Sequence, residues 1–223
     1  MKRPQTARAR GKRAGLDLDQ IVEAAQAFDA ENLTMQSLAT AMNVDRKALN
    51  YYVKDRQALL AIVAHRAFAD VFSSDPVRAA SDWQDASRIY AIRFVEGAVS
   101  LGRLSDHLWF NEPLTAWSLD ATESLFARFF QAGFTDEAST RLVTMLSTLC
   151  LGHARDVIQA TRSAEKPRPR AVRAALEKSD AEKFANLLRI LEHGYDTYGD
   201  EQMLFSIDVF LTGAQAVLQG VRG

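Results

Sequence analysis

Cysteine is nearly missing from these 223 residues. The lone thiol, Cys150, excludes an internal disulfide framework and fits a reducing compartment. Its default reading is a small buried hydrophobe. No apolar run of about 18 residues occurs, so no membrane span is expected. The N-terminus lacks the apolar stretch of a secretion signal, and a cytoplasmic protein is expected. That makes the sequon Asn32-Leu33-Thr34 a coincidence. Strand-like alternation of useful length and internal repeats are also absent, which leaves an all-helical chain. No glycine-rich phosphate loop, nucleophile–base pair or carboxylate–histidine metal spacing is found, which argues against an enzyme. The four histidines have no ligand spacing, so neither a metal on His107 and His153 nor any other cofactor is expected.

What is present is apolar bulk and an uneven charge. Hydrophobic residues make up 48% of the chain, enough to build a core without covalent staples. The net charge is −1, but residues 1–56 hold 10 Lys/Arg against 7 Asp/Glu, and the remainder holds 17 against 21. A basic end on an acidic body suggests that the first segment meets a polyanion. Residues 1–14 carry Lys2, Arg3, Arg8, Arg10, Lys12 and Arg13 with almost no apolar bulk. They read as a disordered arm, either a solubilising tail or a segment that follows DNA backbone or minor groove.

Helical spacing begins at Asp17, which has capping-box spacing to Gln20. Leu18, Ile21, Val22, Ala25 and Phe28 predict a first helix to about Ala30. Thr34 is the expected cap of a second helix with Leu38, Ala39 and Met42 inward. Asn43 suits a left-handed turn and Val44 plugs it. Asp45 caps a short third helix, with Ala48 and Leu49 inward. Asp55 caps a fourth, ending near Phe72. Three short helices with a tight turn between the second and third make a helix-turn-helix.

The stretch "VDRKALNYYVKDRQALL" crowds cations and aromatics beside that core. Arg46, Lys47 and Asn50 share the side of the third helix away from Leu49, free to enter a major groove. Arg and Lys donate to guanine edges there, and Asn pairs with adenine. Gln36, early in the second helix, can also reach a base. Thr34, Tyr51, Tyr52, Lys54 and Arg56 lie at helix ends and flanks, where donors suit phosphate oxygens.

Residues 17–68 resemble the N-terminal domain of the TetR family of bacterial repressors. The likeness is carried by Leu33-Thr34, Leu38-Ala39, Val44, Leu49, Tyr52-Val53-Lys54 and Leu59-Leu60. Asn43 stands where the family has a turn glycine, and Asn50 where it has tyrosine. The proline-bearing segment 164–170, between two long helices, resembles the tetracycline-repressor subgroup. The prolines there, Pro167 and Pro169, predict a loop, and Pro76 predicts a joint without helix. Ser81 with Gln84 has capping-box spacing for the long helix that follows.

In the body, residues 138–162 and 201–219 are apolar around much of their circumference. Leu142, Met145, Leu149 and Ile158 mark the first, and Met203, Ile207, Phe210, Ala214 and Val217 the second. Such helices need cover on more than one side, from a second subunit or from a purely intramolecular core. The resemblance implies a four-helix dimer interface. An aromatic-rich set, Tyr90, Phe94, Trp109, Phe110, Trp117 and Phe130, reads as ordinary core or as a ligand pocket, with Arg93, His107, Asn111, His153 and Arg155 as polar candidates.

The resulting expectation has three parts. Residues 1–14 are an arm, 15–72 bind DNA and 73–223 dimerise and sense a ligand. As a homodimer the chain binds a palindromic operator on double-stranded DNA as a repressor, released by a small-molecule inducer. The alternative is a DNA-binding activator or architectural protein without a ligand.

Overall fold

The computed structural model describes residues 16–108, 116–179 and 182–221, with the side chains of all of these except 116–118, 182 and 221. The expected basic arm, Trp109, Phe110, Asn111 and the side chain of Trp117 fall outside this set. Among the described residues every regular element is helical. They form two compact units that divide between Val63 and Ala64.

The first unit holds α1 (Leu18–Gln26), α2 (Met35–Ala41), α3 (Arg46–Asn50) and the start of α4 (Arg56–Val71). Local polar chemistry sets each boundary. Asp17 Oδ1 accepts the Gln20 N–H at 2.8 Å and opens α1. The helix stops at Gln26, earlier than its apolar spacing suggests. The chain then turns, with the Asn32 and Leu33 N–H groups both donating to the Asp29 carbonyl. At α2, Thr34 Oγ1 accepts the Ser37 N–H and Ser37 Oγ accepts the Thr34 N–H, each at 2.9 Å, so two orphan donors are satisfied together.

The turn into α3 is a Schellman motif. Val44 N–H donates to the Ala39 carbonyl at 3.0 Å and Asn43 N–H to the Thr40 carbonyl at 3.2 Å. This requires a left-handed residue, and Asn43 has φ +53°. Asp45 Oδ1 then accepts the Lys47 N–H at 2.8 Å, and Asp55 Oδ1 opens α4 by accepting the Ala58 N–H at 2.9 Å. Ile21, Val22, Ala25, Leu33, Leu38, Ala39, Leu49, Val53, Leu59 and Leu60 are all buried. Ala48, expected inward, is exposed. A five-residue helix makes little more than one turn, so a single position, Leu49, faces in.

The second unit takes the rest of α4, then α5 (Ser74–Ala79), α6 (Trp83–Ser100), a 3₁₀ segment at Gly102–His107, α7 (Ala116–Ala132), α8 (Asp136–Thr161), α9 (Pro167–Leu176), α10 (Ala185–His193) and α11 (Asp200–Val221). Three sequence expectations are corrected. Residues 74–79 and 167–176 are helical despite Pro76, Pro167 and Pro169. All three prolines occupy first-turn positions, where the backbone N–H has no intrahelical acceptor to lose. The cap of α6 is Asp82, not Ser81. Asp82 Oδ1 accepts the Asp85 N–H at 2.8 Å, while the Ser81 N–H donates to Asp85 Oδ2 at 3.0 Å.

Helix α6 is the centre of this unit, burying Trp83, Ala86, Tyr90, Ala91, Phe94 and Ala98 against α7, α8 and α11. A Cβ on Gly97 would lie 3.1 Å from the Phe68 ring and 3.3 Å from its carbonyl oxygen, so any larger residue would have to push Phe68 back by a few tenths of an ångström. Helix α11 is long and apolar enough to cross a membrane. Here it packs one face into the core through Met203, Ile207, Phe210, Ala214 and Leu218. It is tied to α6 by Arg88 and Asp208 at 2.7 Å. Helices α9 and α10 bury no residue within this chain.

Candidate nucleic-acid interface and ligand cavity

Arg46, Lys47 and Asn50 are all exposed on α3, on the side away from fully buried Leu49. None has a side-chain partner among the described residues, so two full charges and an amide stand free beside a fixed backbone. Tyr51, next in the chain, is 86% exposed and meets the Tyr52 ring edge-on at 5.3 Å. Exposed Gln36, Thr34 and Lys54 lie on the same unit. Free donors on one short helix, held by a turn and caps, suit the base edges of a major groove. Lys54 suits its phosphates.

Three of the expected phosphate donors have other engagements, and the first is Thr34, whose Oγ1 donates to Ser37 Oγ at 2.9 Å. Arg56 Nε donates to the Leu33 carbonyl and its Nη2 to the Ala30 carbonyl, both at 2.7 Å. The guanidinium therefore clamps the α1–α2 turn to the start of α4. The Tyr52 hydroxyl donates to the Leu16 carbonyl and holds the entry to α1. Neither the Arg56 nor the Tyr52 contact is legible from spacing, because each partner is a backbone carbonyl at least 23 residues away.

Of the residues expected to hold a ligand, those whose side chains are described do not line one common cavity. Tyr90 and Phe94 are buried in an aromatic cluster with Phe68 and Phe72. Tyr90 shares hydrogen bonds with Ser147 at 3.1 Å and Thr122 at 3.3 Å. Burial raises its pKa. Arg93 is exposed and paired with Glu96 at 3.0 Å. Phe130 is 48% exposed and stacked on Phe126. His107 is half-buried at the end of the 3₁₀ segment. Buried His153 faces a cavity of about 360 Å³ shared with Asp156, Arg168, Thr197, Gln202 and Ser206. Its desolvation lowers its pKa, opposed by Asp200. Cys150 is wholly buried, which pushes its thiol up to about 12.

A second cavity, about 450 Å³, lies between the C-terminal halves of α6 and α8 and the 102–107 segment. Ala98, Leu108, Leu151, Ala154 and Ile158 form its apolar floor; Ser105, Asp106, Arg155, Gln159 and Arg162 supply its polar groups. Sequence reading found only Arg155 of the polar set. The signal it missed is the α8 stripe at 151, 154, 155, 158, 159 and 162, whose spacing puts all six residues on one face.

The positions expected at a dimer interface divide in two. Met203, Ile207, Phe210 and Ala214 belong to the chain's own core, Leu142 and Ile158 are covered within it, and Leu149 is half-buried. Met145 and Val217 are exposed, together with Leu204, Phe205 and Val209, which sequence reading passed over.

With this geometry the chain was compared with known proteins. No family model matches the sequence, and no curated protein matches it. Solved structures match across nearly the whole chain. The chain has the fold of TetR-family transcriptional regulators. A possible TetR family regulator from Streptomyces coelicolor A3(2) superposes with a TM-score of 0.72 at 22% identity, covering 90% of this chain and all of the other. The S. coelicolor TetR family protein ActR, in complex with actinorhodin, gives 0.71 at 19%, covering 91% of this chain and 97% of the other. TetR-Q116A from Acinetobacter baumannii AYE, in complex with minocycline, gives 0.62 at 17%, covering 91% and 98%.

Proposed function

We propose that the chain is a ligand-responsive transcriptional repressor acting as a homodimer on a palindromic DNA operator. The observation that carries the reading is the free Arg46–Lys47–Asn50 face on a helix whose position is fixed by the Asn43 turn and the buried Leu49. Groove entry by such a helix, twice per twofold dimer, reads two half-sites. The exposed apolar side chains of α8 and α11, Met145, Leu204, Phe205, Val209 and Val217, are the surface for the second subunit.

The effector occupies the 450 Å³ cavity, a volume within the range of small-molecule sites. ActR and the A. baumannii regulator, crystallised with small molecules, support this part of the reading. Helix α4 is the covalent route from the reading head to the body, beginning at Arg56 and ending at Val71. Effector binding favours a body state in which the two heads no longer fit successive grooves. It shifts that equilibrium only by its differential affinity for the two states.

A mobility-shift titration tests the DNA contact. Arg46→Ala is expected to cost about 1–3 kcal/mol and relax specificity at one base pair. Lys54→Ala is expected to weaken binding to specific and scrambled duplexes alike. Wild-type affinity in both variants would refute the interface.

A further inference from the structure

We infer that the cavity between α6, α8 and the 102–107 segment takes an organic monoanion, a carboxylate on an apolar body. This rests on the regulator reading above and names its effector class. The cavity's polar side holds two guanidiniums and one carboxylate. Arg162 and Asp106 neutralise each other: Nη1 lies 3.2 and 3.3 Å from the two carboxylate oxygens, and Nη2 donates to the Gly102 carbonyl at 3.1 Å. One charge is left over. Arg155, two helical turns before Arg162 on the same face of α8, has no hydrogen-bond or ion-pair partner among the described residues. Gln159 stands between them on the same stripe and lines the same cavity.

An uncompensated guanidinium beside an apolar floor sets the occupant's chemistry. Arg155 is exposed at the cavity's rim, and its planar fork of N–H donors matches a carboxylate in two parallel hydrogen bonds. The Gln159 amide can donate to a carboxylate oxygen. Leu151, Ala154 and Ile158 then receive the apolar body. Charge selects within the oxyanions. A carboxylate brings one negative charge to one free positive charge, whereas a phosphate monoester near neutral pH brings about 1.5–2. A cationic ligand would add to an excess already positive.

Isothermal titration of the full chain with 2-naphthoate, 2-naphthamide and 2-naphthylmethylamine, and with the same three head groups on a decyl chain, reads this directly. In at least one series the acid is expected to bind about tenfold or more tighter than its amide, with the amine weakest. Arg155→Gln is expected to abolish the gap between acid and amide, and Arg155→Lys to keep part of it. Amides that bind as tightly as acids, acids of both series that fail to bind, or an acid preference that survives Arg155→Gln would overturn the assignment. Duplex binding by the same preparations separates this inference from the regulator reading. Acid-selective binding by a chain indifferent to DNA would leave the cavity assignment standing and remove the regulator. Release of DNA by the amine alone would do the reverse.

Discussion

Asn43 is where the reading head depends on one backbone angle. Its φ of +53° closes the α2–α3 turn, and both closing hydrogen bonds come from backbone N–H groups, those of Asn43 and Val44. Substitution therefore leaves the bonds available and changes only the cost of the angle. Alanine there costs roughly 1–2 kcal/mol in left-handed geometry. Glycine has no such strain, but its freer unfolded chain removes about 0.4–1 kcal/mol. Asn43→Gly should therefore be more stable than Asn43→Ala by roughly 0.5–1 kcal/mol, and Asn43→Val, β-branched, should be worse than either. Amide hydrogen exchange over residues 39–53 measures local opening of the turn. The Ala variant should exchange about two- to fivefold faster there than the Gly variant, since 1.4 kcal/mol is about tenfold. Equal protection in the Gly and Ala variants would mean that the left-handed angle does not control the placement of α3, and the reasoning would fail.

Arg56→Ala removes two charge-assisted hydrogen bonds to the Leu33 and Ala30 carbonyls, so it should destabilise the head by about 1–3 kcal/mol in urea. Lys54→Ala, with no partner among the described residues, should change stability by less than about 0.5 kcal/mol. Equal effects would show that the Arg56 clamp is not structural. Phe205 and Val209 are 65% and 56% exposed in one chain, so Phe205→Asp with Val209→Asp should weaken dimerisation about a hundredfold in sedimentation analysis. An unchanged dimer would place the interface elsewhere. Burial lowers the His153 pKa, so the neutral form is favoured in the fold. The stability this adds is full above the ordinary histidine pKa of about 6.5 and is lost as pH falls through the lowered value. With Asp156, Asp200 and Arg168 unchanged around it, His153→Gln should lose less stability than the wild type between about pH 8 and about pH 5. A steeper loss in the variant would reverse the sign of the argument.

The parts of the fold legible in the sequence are those fixed within a few residues. Asp17, Thr34, Asp45 and Asp55 cap helices because their acceptors reach N–H groups two or three positions on. Asn43 could be read because one residue type in one position implies one backbone region. Proline misled for an equally local reason. Its position in the first turn, not its presence, decides whether a helix continues, and Pro76, Pro167 and Pro169 all sit there. What depends on partners distant in sequence was hidden. Arg56 reads as one more exposed cation until the Leu33 and Ala30 carbonyls are seen in its reach. The aromatics Tyr90 and Phe94 fill core, while the concave surface is built from Ala98, Leu108 and one face of α8. The apolar pattern of α11 likewise does not say which of its two sides the chain's own core will cover. Ile207 and Phe210 face inward, and Phe205 and Val209 do not.

The central claim is that two copies of α3 read duplex DNA through Arg46, Lys47 and Asn50. Repeated selection of bound duplexes from a random pool, using the full chain, tests it most directly. The account predicts enrichment of an inverted repeat whose half-site centres lie about 34–36 Å apart or a multiple of that, lost in the Arg46→Ala, Lys47→Ala double variant. No enrichment over the starting pool, or the same repeat enriched by the double variant, would contradict it.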